Sequence, residues 1–219
     1  HDPHAASVLV TDSQTLATAV AEAVGRRVPA TKHSERVRTA LSGKRGPVFL
    51  DIPRDLLDNQ TITADIAAPE TYRAVHGRLA GDAQAIQRAA ALLAQAQRPL
   101  LLAGGGVIDA EASAEAVALA ELLDIALVPS YGHNDVVPNS HRLYIGAPGG
   151  RGAGETAEAI HRADVILGLG TRLNQSTTLW NDRVINPQTR IVQVDIDAQE
   201  IGRNYPVAVG IVGDARAVA

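Results

Sequence analysis

The sequence predicts an α/β protein built on a doubly wound, mainly parallel sheet, and three observations predict it. First, Val165–Leu169, Arg190–Asp197 and Val207–Val212 are apolar, β-branched runs of strand length. Each ends in small or charged residues: Gly170-Thr171-Arg172, Asp195-x-Asp197 and Gly213-Asp214. Continuous runs of this kind read as parallel strands buried on both faces. Second, strand-like and helix-like periods alternate from residue 82 onward, the pattern of a sheet with helices on its faces. Third, the 219 residues are 46% hydrophobic but only 3% aromatic. A core of Ala, Val, Leu and Ile suits helices packed on a sheet better than an aromatic-rich sandwich.

Taken in order, Val8-Leu9-Val10 is a short apolar run. Thr11-Asp12-Ser13 can cap a helix carrying Leu16, Ala19, Val20, Ala23 and Val24, with Gly25 as its stop. Arg26 to Arg36 reads as a solvated, basic loop, and Arg36 to Leu41 adds a helical turn or two. Gly46-Pro47 opens a buried-strand pattern, Val48 to Ile52, which Pro53 stops. From Leu57 to Gly81 the period is lost and Asn, Gln, Thr, Pro and Gly collect, as in a linker between two compact units. Asp82 then caps a helix through Ile86, Ala89, Leu93 and Ala96 that ends before Pro99. Leu100–Ala103 is a strand, and Gly104-Gly105-Gly106 turns it into a helix over 111–123. Ile125–Val128 is the next strand, 130–154 is irregular, and 155–162 is a helix leading into Val165.

The candidate chemistry sits at the strand ends, because ligands of an open parallel sheet bind beyond the carboxyl ends of its strands. Gly104 to Gly106 either let backbone approach a ligand or simply make a tight turn; their spacing is not the G-x-G-x-x-G of NAD-binding folds. Asp195 can accept from ribose hydroxyls, whereas Asp197 fits a helix cap better. Arg172 suits a phosphate or a flavin-like ring edge, or else a surface ion pair. Gly146, Gly149 and Gly152, with Arg151 between, fit a flexible loop or a ligand contact. His133-Asn134-Asp135 and His141 lack the further ligands that a metal site requires. No nucleophile elbow, P-loop or H-E-x-x-H is present.

Several classes are excluded by composition. A net charge of −4 argues against nucleic acid as the main partner. Without cysteine there is neither a disulfide framework nor a thiolate metal site. No apolar run approaches ~18 residues, which predicts a soluble chain with no membrane partner. Methionine is absent even at position 1, which predicts that the chain is a piece of a longer protein.

The segment Gly46-Pro47-Val48-Phe49-Leu50-Asp51-Ile52-Pro53-Arg54-Asp55-Leu56 resembles the end of the pyrimidine-binding domain of thiamine-diphosphate enzymes of the acetolactate synthase type. Arg98-Pro99 with the three glycines, Ala163-Asp164, Gly170-x-Arg172, Val194-Asp195-Ile196-Asp197, Glu200-Ile201-Gly202 and Gly213-Asp214 resemble their central domain. Tyr131-x-His133-Asn134-Asp135 and Pro138-x-Ser140-His141 look closest to the sulfoacetaldehyde acetyltransferases. The resemblance implies residues 1–58 as the end of a pyrimidine-binding domain, 59–81 as linker and 82–219 as a Rossmann-like central domain. It implies thiamine diphosphate and Mg2+ at sites outside this stretch, with FAD or ADP at the central domain. The nucleotide contacts carried over are Gly104, Gly105, Gly152, Arg172, Asp195 and Asp214. Two departures leave an ADP-type or empty site open: Leu173-Asn174-Gln175 replaces the usual Phe-Asp-Asp, and Arg151 replaces a His. The implied reaction takes a 2-keto acid or a sulfoacetaldehyde-type substrate through a thiamine-bound carbanion, in a cytoplasmic homodimer or homotetramer. No catalytic residue falls in this stretch. The rival class is a stand-alone nucleotide-binding or interaction module; a deacylase or electron-transfer flavoprotein domain shares only the architecture.

Overall fold

The computed structural model describes residues 5–8, 40, 42–53, 78–148 and 154–219. The chain divides into two compact units, His1–His76 and Gly77–Ala219. In the first, β1 (Ala5–Val8) pairs antiparallel with β2 (Leu50–Pro53). Phe49, placed in the expected buried strand, instead precedes β2 and is 61% exposed. Among the described residues the ladder begins at Leu50, opposite Val8. The expected helix over 16–24 lies outside the described residues.

The second unit follows the predicted alternation. Its elements are α1 (Ala83–Ala94), β3 (Pro99–Ala103), α2 (Gly105–Asp109), α3 (Ser113–Leu123) and β4 (Ala126–Pro129). Next come α4 (Gly154–Arg162), β5 (Val165–Leu169), the single turn α5 (Gln175–Thr178) and β6 (Arg190–Asp195). A 3-10 turn (Ala198–Glu200), β7 (Val209–Val212) and α6 (Ala215–Val218) complete it. The five strands run parallel in the order β4-β3-β5-β6-β7.

Period-two alternation within the apolar runs gives the sheet two packed faces. Leu101, Ala103, Leu127, Leu167, Val192 and Ile211 pack with Ala85, Ala89 and Leu93 of α1 and with Ala116 and Ala120 of α3. Leu100, Leu102, Val128, Ile166 and Ile191 pack with Ile160 of α4 and with Leu173, Val184 and Ile185. Small alanines on α1 and α3 let those helices sit close to the strands. Asp82 caps α1 as predicted, its carboxylate accepting from the Ala85 N–H at 2.7 Å.

One helix differs from its prediction. The expected helix over 111–123 is α3, starting at Ser113, and a further short helix, α2, precedes it within the glycine run itself. α2 stops in a Schellman arrangement: Glu111 takes φ +54, Ala112 N–H donates to Val107 O at 2.8 Å, and Glu111 N–H donates to Ile108 O at 2.9 Å. That stop turns the buried Ala112 into the core and launches α3 along the sheet.

Candidate functional site at the switch point of the sheet

Strand order reverses at β3. The chain leaves β3 for β4 on one side, then returns to β5 on the other. The connection after β3 packs on one face of the sheet, whereas the segment after β5 carries Leu173, Val184 and Ile185 onto the other. A crevice at the carboxyl ends of β3 and β5 is the consequence, the place where open α/β sheets bind ligands.

The crevice floor is backbone packed on backbone. Gly104 N–H donates to Leu169 O at 3.0 Å, Gly106 N–H to Gly170 O at 2.9 Å, and Gly170 N–H to Val194 O at 2.8 Å. A Cβ on Gly104 would run into the Gly170 carbonyl, and one on Gly106 would come within 2.7 Å of Gly170 Cα. Gly170 itself takes φ +58. Two of the three glycines therefore spend their amides joining the two loops. A Cβ on Gly105 would meet the His133 ring at 2.8 Å, and one on Gly104 would also come within 2.7 Å of Thr171 Cβ.

Side chains lock the crevice walls. Ser130 N–H donates to Ala103 O at 2.7 Å, and the buried Ser130 Oγ lies 2.7 Å from Thr171 Oγ1. Tyr131 N–H donates to Thr177 Oγ1 at 3.2 Å, tying the tip of β4 to α5. Gln193, buried in the middle of β6, donates to Thr171 O at 3.2 Å and to Glu200 O at 3.0 Å, and accepts from Gly202 N–H at 2.9 Å. Its role was not read from the sequence, although an amide inside the apolar run Arg190–Asp195 is a visible signal.

The predicted site residues separate into groups. Gly104 packs against Gly170 and Thr171 at the switch point, Gly105 faces His133, and Arg172 follows on the same connection as Thr171, its carbonyl accepting from Asn204 Nδ2 at 2.8 Å. Arg172 is exposed, and no carboxylate of the described residues lies within ion-pair reach of it. Asp195 stands at the tip of the next strand, 8% exposed, its Oδ1 accepting from Asp197 N–H at 2.9 Å. Asp197 caps the 3-10 turn through Gln199 N–H at 3.0 Å. Asp214 lies at the edge strand, where it caps α6 through Arg216 and Ala217 N–H and pairs with Arg78 at 3.1 Å. Gly152 lies outside the described residues, as do Gly149 and Arg151. No group of three or more His, Cys, Asp or Glu among the described residues could hold a metal ion. His141 instead lies 3.2 Å from Glu121.

Such a fold defines a doubly wound α/β domain with a topological switch point. The chain belongs to the thiamine pyrophosphate enzymes, its residues 86–219 matching the family model of the thiamine pyrophosphate enzyme, central domain. Relatives include a sulfoacetaldehyde acetyltransferase of Rhodobacter capsulatus, 42% identical over 79% of this chain and 29% of the relative. An acetolactate synthase of Mycobacterium bovis is 34% identical over 90% of this chain and 34% of the relative. Benzoylformate decarboxylase from Polynucleobacter necessarius shares the fold, with TM-score 0.69 and 23% identity over 87% of this chain and 35% of that one. The chain spans about a third of the length of the relatives it matches.

Proposed function

We propose that the chain is the central part of a thiamine-diphosphate-dependent enzyme that acts on a 2-keto acid or a sulfoacetaldehyde-type substrate and passes the resulting fragment to an acceptor. The observation that carries this reading is the family match over 86–219, which spans the whole parallel sheet and its switch point. Identity of 42% to a sulfoacetaldehyde acetyltransferase, against 34% to an acetolactate synthase, favours the acetyltransferase branch. Residues 1–58 are proposed as the end of a pyrimidine-binding domain, 59–81 as a linker and 82–219 as the central domain, in a cytoplasmic homodimer or homotetramer.

Thiamine diphosphate supplies the electron sink of such reactions when it is bound. This chain's own residues do not fit it or its magnesium: it has no Gly-Asp-Gly motif, and no acidic cluster suited to a metal among the described residues. No step is therefore assigned to a residue here. A nucleotide such as FAD or ADP is the candidate ligand of the switch point, through the exposed Arg172 guanidinium, which no carboxylate among the described residues neutralises. Asp195 is the candidate ribose acceptor on the neighbouring strand.

The test is direct. Calorimetric titration of the purified chain with ADP and FAD is expected to show binding that Arg172→Ala weakens about tenfold, the loss of one charged contact. No binding of either nucleotide would leave the switch point without a ligand role.

A further inference from the structure

The rim of the crevice carries an apolar surface that the core does not use. Tyr131, Leu179 and Trp180 are 48%, 45% and 60% exposed. In contrast, Leu173, Val184 and Ile185 of the same connection are buried. The hydrogen bond from Tyr131 N–H to Thr177 Oγ1 ties Tyr131 to the connection that carries Leu179 and Trp180. Trp180 follows Thr177 by three residues, a span of at most ~10 Å of chain. Its backbone is unusual as well. Leu179 and Trp180 take φ +55 and +47 in succession, a region that L residues rarely adopt. Leu179 is explained as the stop of α5. Trp180 has no such role, yet its N–H is fixed to Thr178 Oγ1 at 3.3 Å.

We infer that Trp180 is the stacking platform for the aromatic ring of the switch-point ligand, with Arg172 of the same connection taking its phosphates. This rests on the nucleotide reading above and adds which residue recognises the base. Charge complementarity favours such a ligand over an apolar partner: the exposed aromatic surface shares its loop with a guanidinium that no carboxylate of the described residues neutralises. A planar ring joined to phosphates answers both features at once. Stacking on an aromatic side chain tolerates different rings, so adenine and flavin fall within the same chemistry.

The sequence contains one tryptophan, so its emission reports on this site alone. With excitation at the red edge of indole absorption, ADP is expected to change the Trp180 emission along the calorimetric binding curve. Adenosine should change it at higher concentration, and inorganic pyrophosphate should not. Trp180→Ala is expected to weaken ADP about tenfold and Trp180→Phe much less. Circular dichroism melting checks that both variants fold. ADP binding by calorimetry with unchanged emission, and equal affinity in Trp180→Ala, would overturn the inference and leave the nucleotide reading intact. Absence of calorimetric binding would overturn the reading itself, and the inference with it. Emission that depends on protein concentration and ignores ADP would make the surface a contact between copies, which also overturns the inference.

Discussion

At the scale of single residues, the glycines of the crevice divide by what surrounds them. Gly170 combines φ +58 with a Cβ position 2.7 Å from Gly106 Cα and 2.8 Å from Val107 N, all backbone that cannot step aside. Gly132 has φ +85 but open space around it. Gly170→Ala is therefore expected to lose at least ~2 kcal/mol of unfolding free energy, and Gly132→Ala only about 1 kcal/mol. Urea denaturation compares the two. Gln193 is the other residue on which the crevice depends. Gln193→Leu keeps the volume but strands the Thr171 and Glu200 carbonyls and the Gly202 N–H. A loss of about 2–3 kcal/mol follows if these groups stay dry. If water replaces the amide, the melting temperature will hardly move.

At the scale of elements, Asp164 joins the starts of β3 and β5. Its two oxygens accept from Gln97 N–H at 2.7 Å and Arg98 N–H at 2.9 Å, just ahead of Pro99. Partial burial pushes its pKa upward, but the Gln97 and Arg98 amides together outweigh that and hold the carboxyl below its usual 3.8. A folded pKa below the unfolded one means stability that is whole above the unfolded value and is lost as pH falls through the folded value. Asp164→Asn should accordingly cost about 1 kcal/mol at pH 7, kept small by solvent screening, and the difference should shrink below about pH 4. Unfolding curves at both pH values check this. Beyond β3, the free edge of β4 is shielded by a short parallel bridge to Tyr144, with Leu127 N–H donating to Leu143 O at 2.8 Å. An exposed edge there would invite pairing with other chains. Element types were legible because burial on two faces writes itself as continuous aliphatic runs. The α2–α3 break was not, since a Schellman stop at Glu111 uses a residue with no turn signature.

At the scale of the whole molecule, the proposed activity needs more than this chain contains. The purified 219-residue chain, given thiamine diphosphate, magnesium and either pyruvate or sulfoacetaldehyde, is expected to show no turnover. Measurable product would refute the view that the catalytic groups lie elsewhere. The Arg78–Gly81 segment, read as linker from its composition, is bound to the second unit. Arg78 donates to Ala110 O at 2.7 Å and pairs with Asp214, whose N–H donates to Leu79 O at 2.8 Å. Polar, Gly-containing composition marks chain outside a core, but it does not say whether hydrogen bonds strap that chain down.

The sequence alone determined the parallel α/β sheet and the order of its strands after residue 82. These are local consequences of burial period, capping and turn chemistry. Only the tertiary structure decided that the Gly104 and Gly106 amides are consumed in joining two loops, that Asp214 is held by Arg78, and that Trp180 stands exposed. Those facts turn on which distant backbone and side-chain groups meet across the sheet, and no local pattern in the chain encodes that pairing.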